Sequence, residues 1–455
     1  MNLDYRVPDR ATGIAPPAAT SPPIGARERV DFAAKWAAVL LGGAIPVSVA
    51  GDNVLFAFLL LCWLAGGGYR DKLAAIRGNP VALAALALFA VHVVGALYSI
   101  GDGNDVQDAL TKALRLLLIP ALLPLMREAQ WRDRGLRAFL GSMLVVLLVS
   151  CLYWSGALPV NTWLKGTELD PVMFKAHITH NVFMAFAAFL FALAAVEATS
   201  RGGRLVLFAL SAAATVNVLV MVPGRTGHIV LLVLFTYFLY RQLRWKGLAL
   251  AGLAVGVLAV VVALSPDAML HKRITMADDE FQQWRAGVPA DPTSSVGQRM
   301  GFLRNTLEII RESPVVGVGT GGFAAAYAAR ASRAGEAPTR NPHNEFLMIA
   351  AQFGLVGLAV FACLFATQWW MAARLPGRFD QAAARGLVLT VVVASLLSST
   401  LVDHAEGFFF VYMSGLLFAG CRAADERAWI RAPARGHKGA QAERESGASA
   451  AKRVV

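Results

Sequence analysis

Charge is what this 455-residue chain has little of. Asp, Glu, Lys and Arg make up 16% of it and 56% is hydrophobic, against about a quarter charged in ordinary soluble domains. A water-soluble fold could not bury that much apolar side chain, and the mean hydropathy of +0.54 excludes a disordered chain as well. Cysteine is also scarce. Cys62, Cys151, Cys363 and Cys421 are scattered through or beside apolar segments without metal-ligand spacing, which excludes a disulfide scaffold and favours buried free thiols. No Walker loop or dinucleotide fingerprint is present, and the glycine-rich run Val315 to Phe323 follows no strand pattern, so nucleotide binding is not expected. Asp278-Asp279-Glu280 is a weak candidate for a hard-metal cage and reads instead as a solvated run. The first thirty residues, with Pro16, Pro17, Pro22 and Pro23, lack the short apolar core and cleavage site of a signal peptide and are expected to form a flexible tail.

Long apolar runs are there in abundance. A membrane-spanning helix needs about 20 mostly apolar residues, and such runs fall near 32–50, 53–66, 80–98, 109–126, 136–155, 178–198, 204–222, 227–240, 246–265, 345–371, 382–401 and 406–422. The expected fold is therefore an all-α polytopic membrane protein of about twelve transmembrane helices. The second and eighth runs are short, as broken or tilted segments would be. With the N-terminus inside, the inner loops carry fifteen basic residues, and the short outer loops only Lys165, Lys175 and Arg225. The positive-inside rule then puts both termini in the cytoplasm. The net charge of +12, which could have pointed to nucleic acid, is explained by these inner loops and basic tails, so no nucleic-acid partner is expected.

The expected organisation is a cytoplasmic tail over 1–31, helices one to nine over 32–265, an outer loop domain over 266–344, helices ten to twelve over 345–422 and a basic cytoplasmic tail over 423–455. The outer loop has nine basic and eight acidic residues, and connections this long usually hold structure and function. Within it, Arg299 to Arg311 places Phe302, Leu303, Thr306, Ile309 and Ile310 at helical spacing, with Ser313-Pro314 as a stop. The following glycine-rich run suits a loop whose backbone approaches something closely.

Polar side chains gather at the outer ends of the helices, where charge in a spanning region is costly and points to function. Lys112 and Arg115 lie three apart near the start of the fourth helix, as headgroup anchors or anion ligands. His177 and His180, followed by Asn181, start the sixth and suit interhelical hydrogen bonds better than a metal site. Arg225 lies in the tight turn Pro223 to His228, where its guanidinium offers a fork for phosphate oxygens. Asn341-Pro342-His343-Asn344-Glu345 heads the tenth helix. Asn341 or Asn344 could cap it, while His343 beside Glu345 suits an oriented imidazole. Asp403-His404-Ala405-Glu406 reads as a solvated turn.

The stretch ESPVVGVGTGGF, a long interval, then NPHNEFLMIAAQFGLVGL with Gln352, Gly354 and Gly357 resembles the signature of the bacterial O-antigen ligase and O-antigen polymerase superfamily. The Arg-Thr-Gly turn at Arg225 and the long loop between helices nine and ten resemble the ligase layout. The resemblance implies a multi-pass inner-membrane glycosyltransferase working at the periplasmic face. It would move an O-antigen chain from undecaprenyl diphosphate to a terminal sugar of lipid A-core, with membrane lipids around it and neither metal nor cofactor. His343 would then be the general base and Glu345 a possible orienter. Arg225, Arg299, Arg115 and Lys112 would hold the diphosphate, with His180, Asn181 and Asn344 lining the site. An O-antigen polymerase or a protein-glycosylating ligase would share the signature. A secondary transporter is a different class that twelve helices would also suit, with its polar site near the midplane on broken helices.

Overall fold

The computed structural model describes residues 25–158, 167, 170–263, 275, 278–279, 282, 295–334 and 337–421. Among these the secondary structure is entirely helical: α1 Ala26–Ala44, α2 Val49–Ala65, α3 Tyr69–Arg77, α4 Pro80–Ala96, α5 Gly103–Ala113, α6 Leu118–Leu125, α7 Ala129–Trp154, α8 His177–Glu197, α9 Arg201–Val216, α10 Arg225–Leu243, α11 Trp245–Ala263, α12 Ser295–Glu312, α13 Phe323–Ala334, α14 Glu345–Ala372, α15 Arg378–Leu397 and α16 His404–Phe418. The expected C-terminal tail, most of the N-terminal tail and Lys165 lie outside the described residues. So do Glu280 and most of 264–294.

Among the described residues, six helices are long and apolar enough to cross a membrane: α7, α8, α9 extended by a turn of π-helix to Met221, α10, α14 and α15. The short second run lies in the continuous helix α2, and a break follows it. At Gly66-Gly67-Gly68 the chain bends by 116° between α2 and α3, and counting that pair as one span gives a seventh. Gly67 and Gly68 both have positive φ, a region where a Cβ would clash. The fourth run is itself broken. After α5 it passes through a 3-10 turn, Leu114–Leu117, into the short α6. The eighth, by contrast, is a continuous 19-residue helix. The other expected segments are helical as well, and among the described residues six or seven spans are supported by length and composition.

Two helices form the middle of the bundle. α16 is buried from Ala405 to Phe418, and α8 is 83% buried along its apolar window. Phe139, Phe183, Phe186 and Phe409 meet between them, with Phe183 and Phe409 ring centres 4.6 Å apart. The outer helices leave apolar faces uncovered, such as Leu205, Val206, Leu219 and Val220 along the α9 span and Leu253 and Val257 on α11. Such faces are disfavoured in water and at home in hydrocarbon. All four described cysteines are free, but only Cys62 is fully buried and Cys363 is exposed. Along a peripheral apolar helix, burial of a thiol against protein is not required.

A second, smaller core lies apart from the first. Ile309 of α12 packs with Phe323, Tyr327 and Ala331 of α13 and with Met348 and Ala351 of α14. The amphipathic helix expected at 299–311 is α12, with Thr306 and Ile309 buried and Phe302 packed on the cluster. Its partner α13 carried no comparable stripe. Ala-rich FAAAYAARASRA packs through Phe323 and Tyr327 with the small Ala326 and Ala331 beside them.

Candidate functional site

α14 is not one rod. At Gly354 its backbone leaves the helix, with φ 62° and ψ −154°, a combination essentially open to glycine alone. A break leaves carbonyls orphaned on one side and amides on the other. The glycine-rich loop supplies both sets of partners. Val318 and Gly319 donate their N–H groups to the carbonyls of Ala351 and Gln352, at 3.0 and 2.8 Å. The N–H groups of Leu355 and Val356 donate to the carbonyls of Pro314 and Val315, at 2.8 and 3.2 Å. Gln352 adds its side-chain oxygen to the Gly321 N–H at 2.6 Å. A Cβ at Gly317 would collide with the Gln352 backbone, and one at Gly354 with the Val315 carbonyl. The expected close approach is thus of loop to broken helix, and it explains Gln352 and Gly354 together. The loop also ties to α4, where Thr320 donates its hydroxyl to His92 O at 2.6 Å and its N–H to Gly95 O at 3.1 Å.

This junction fixes the far end of the first half of α14. Its near end carries His343. Asn344 is the helix cap, accepting from Leu347 N at 3.0 Å and donating to Leu396 O at 3.0 Å, so both of its polar atoms are occupied. Asn341 is no cap. Its Oδ1 accepts from the His343 N–H at 2.8 Å and the Ser399 hydroxyl at 2.6 Å, which holds His343 at φ 54°. Positive φ is uncommon in a residue other than glycine and is a pointer to a constrained functional position. The imidazole packs near the Phe302 ring, centroids 5.6 Å apart. The expected orienter, Glu345, is turned elsewhere. It is buried and accepts from the Leu401 N–H at 2.9 Å. The carboxylate whose field reaches His343 is Asp403.

The charges around the imidazole decide its protonation. Burial and the Arg299 guanidinium lower the His343 pKa below its ordinary 6.5, with Asp403 opposing, so it is a neutral base at neutral pH. Arg299 is pushed down by burial and by Arg225, two cations held within each other's field. Asp403 is raised by burial and held back by the Ser398 hydroxyl, at 3.3 Å, by His343 and by the cations Lys112 and Arg115. Three of the expected residues, Arg225, Arg299 and His343, therefore converge electrostatically, and Asp403 joins them. Asp403 was missed because DHAE reads as a turn in isolation. The signal available was the polar run Ser398-Ser399-Thr400 before it, in an otherwise apolar region.

Lys112 and Arg115 face a separate cavity and have partners of their own. Lys112 pairs with Asp108 at 2.8 Å, and buried Arg115 donates to the Asp403 carbonyl at 3.1 Å while lying over the Phe408 ring. The DHAE segment is not the solvated turn expected. Asp52, wholly buried at the start of α2, pairs with Lys175 at 3.3 Å and lies 3.7 Å from His404, which also meets Asn53 at 3.1 Å. Glu406 is buried and accepts from the Thr179 hydroxyl. Lys175, just before α8, and Asp52 and Asn53 at the start of α2 meet these groups, which no local pattern foretells.

His180 and Asn181 support the site from behind. His180 meets Asn217 Oδ1 at 2.8 Å, and Asn217 donates to Ser150 at 2.8 Å, an interhelical network of the expected kind. His177 is exposed and takes no part in it. Asn181 donates to the Val222 carbonyl at 3.2 Å, and Gly224 and Gly227 pack on it too tightly to admit a Cβ. It positions the turn that presents Arg225. Among the described residues, no three His, Cys, Asp or Glu side chains gather as metal ligands do.

No curated protein sequence matches this chain. A chain from a solved structure titled "Structural coordination of polymerization and crosslinking by a peptidoglycan synthase complex" aligns at 19% identity and a TM-score of 0.42, covering 74% of this chain and 95% of that one, a likeness too distant to decide fold or function. The sequence model of the O-antigen ligase family matches residues 210–362, about a third of the chain. That stretch holds Arg225, Arg299, His343 and the Gly354 break, and Asp403 lies beyond it. Over this stretch the chain is similar to the O-antigen ligase family.

Proposed function

We propose that the protein is an O-antigen ligase of the bacterial inner membrane. It transfers an O-antigen polysaccharide en bloc from undecaprenyl diphosphate to a terminal sugar of lipid A-core at the periplasmic face. The observation that carries this reading is His343, exposed at positive φ on the Asn341 side chain with the Arg299 guanidinium in its field, inside the stretch that matches the O-antigen ligase family model. His343 takes the proton of the acceptor hydroxyl as its oxygen attacks the anomeric carbon. The bond from that carbon to the diphosphate oxygen breaks, and undecaprenyl diphosphate leaves with the electron pair. Arg225 and Arg299 stabilise the charge developing on it. Direct displacement inverts the anomeric centre. The reading is metal-independent and cofactor-free. Activity that chelator abolishes and Mg2+ restores would refute that part.

The same reading takes about twelve crossings with both termini cytoplasmic, and residues 266–344 as a periplasmic unit. Cysteine-accessibility labelling from each side tests it. The superfamily includes polymerases, and a protein-directed oligosaccharyltransferase would use the same donor chemistry. Transfer of lipid-linked O-antigen to purified rough lipopolysaccharide, with His343→Ala as control, separates these. A polymerase extends the lipid-linked chain and leaves lipopolysaccharide unmodified, and a protein-directed enzyme modifies polypeptide. The break at Gly354 could suggest a transporter, but the loop backbone fills it, so it lines no open midplane site.

A further inference from the structure

Behind the His343 corner lies a cavity of about 160 Å3 that the displacement chemistry does not use. Asp105, Asp108, Lys112 and Arg115 line one wall, and Arg340, Asn341, Glu345 and Gln352 another. Neither His343 nor Arg225 nor Arg299 is in the lining. Two links join it to the reacting corner: Asn341, which holds the His343 N–H, and Arg115, which holds the Asp403 carbonyl.

The charge of its lining argues against a diphosphate. Three cations, Lys112, Arg115 and Arg340, face the carboxylates of Asp105 and Asp108 and the buried carboxyl of Glu345, which is engaged by the Leu401 N–H. Two of the cations are already paired, Lys112 with Asp108 at 2.8 Å and Arg340 with Asp105 at 3.4 Å. A dianion entering here would meet Asp105 and Asp108 at close range. A polyhydroxylated ring would not. Carboxylates accept from its hydroxyls, and ammonium and guanidinium groups donate to them. Apolar Phe323, Met348 and Val411 complete the lining and can take a ring's C–H face. The volume exceeds several waters and suits one monosaccharide.

We propose that this cavity is a saccharide subsite holding one sugar ring beside the reacting centre, with Asp105, Asp108, Lys112 and Arg340 as its specificity-determining residues. This rests on the glycosyl-transfer reading, and it separates the labour. The guanidinium pair Arg225 and Arg299 grips phosphate, whereas the balanced cavity grips sugar. Both the acceptor core and the donor repeat unit present such a ring, so the test must tell them apart.

The experiment uses the full-length protein in detergent and two soluble probes, deacylated core oligosaccharide and an O-antigen repeat-unit oligosaccharide. Binding is followed by saturation-transfer NMR and titration calorimetry. Arg340→Gln and Asp105→Asn change partly exposed groups and should keep the wild-type melting temperature. Lys112→Met is a third variant should either of them misfold. Each should weaken binding of one probe at least tenfold. Loss confined to the core oligosaccharide makes the ring the acceptor's, and loss confined to the repeat unit makes it the donor's. Either outcome supports the subsite. Unchanged binding of both probes by folded variants overturns it, as does failure of the wild type to bind either. Transfer assays keep the two readings apart. Normal transfer with unchanged KM for both substrates in these variants removes the subsite and leaves the ligase standing. Sugar binding lost in the variants, in a protein that transfers nothing, removes the ligase and leaves the subsite.

Discussion

The two ends of the first half of α14 are both held by neighbouring loops, and they are held for different purposes. At the Gly354 end, the run from Pro314 to Gly321 engages the break mostly through backbone, and its four backbone bonds satisfy groups the break would otherwise orphan. At the His343 end, Asn341 and Asn344 do the holding with side chains, and the imidazole is left partly exposed between charges. One end is geometry without chemistry. The other carries the proposed base, and the nine helical residues 345–353 carry the position of Gly354 to it. The superfamily signature therefore contains two kinds of information, and substitutions should separate them.

The largest effect is expected at the chemical end. His343→Ala should lower transfer by ~10²–10⁴-fold or to background, with an unchanged melting temperature and unchanged affinity for lipid-linked donor. Retained ligation by the folded variant would remove the base from the mechanism. Next come Arg225→Ala and Arg299→Ala, each expected to lower kcat by ~10²–10³-fold as lost stabilisation of the leaving diphosphate. Lysine at either position should rescue poorly, since a point charge does not reproduce the fork. Wild-type turnover in both alanine variants would dissolve the cationic half of the site.

The structural end should answer in stability. Gly354→Ala forces a Cβ into a region essentially closed to it, at about 1–3 kcal/mol from the backbone alone, and into the Val315 carbonyl besides. Its melting temperature in detergent should fall, and activity should fall with it. Gly252→Ala on α11, where nothing lies within 4 Å, should be neutral or slightly stabilising through helix propensity. If Gly354→Ala melts like wild type, the break is not the clamp described here.

How far the chain announces this arrangement differs between the two ends as well. Apolar runs locate the helices because hydrocarbon imposes composition over about twenty residues. The stripe Phe302, Thr306 and Ile309 located α12 for a similar reason. Arg225 and His343 are legible as polar groups at helix ends, and Arg299 as the head of the amphipathic helix in the outer loop. What was not legible depends on contacts far apart in the chain. Glu345 stands two residues from His343, yet it spends its carboxylate on Leu401, while Asp403 reaches the imidazole from sixty residues away. Asp52, Lys175 and His404 come from three separate segments, and each alone looks like an ordinary surface residue.

The smallest effect tests that last distinction through pH. A general base works in its neutral form, so transfer should fall as pH drops through the pKa of His343 and level off above it. Arg299 lowers that pKa and Asp403 raises it. Removing each should therefore move the acid limb of the kcat/KM profile in opposite directions. Asp403→Asn takes away the group that favours imidazolium, so the limb should shift to lower pH. Arg299→Ala takes away a group that opposes it, so the limb of its residual activity should shift to higher pH. Glu345→Gln should leave the limb nearly in place if its carboxylate belongs to Leu401 and not to His343. A shift in the Glu345 variant as large as that in the Asp403 variant would return the orienting role to the neighbour in sequence. Shifts of the same sign in Asp403→Asn and Arg299→Ala would show that the acid limb reports some other group than His343.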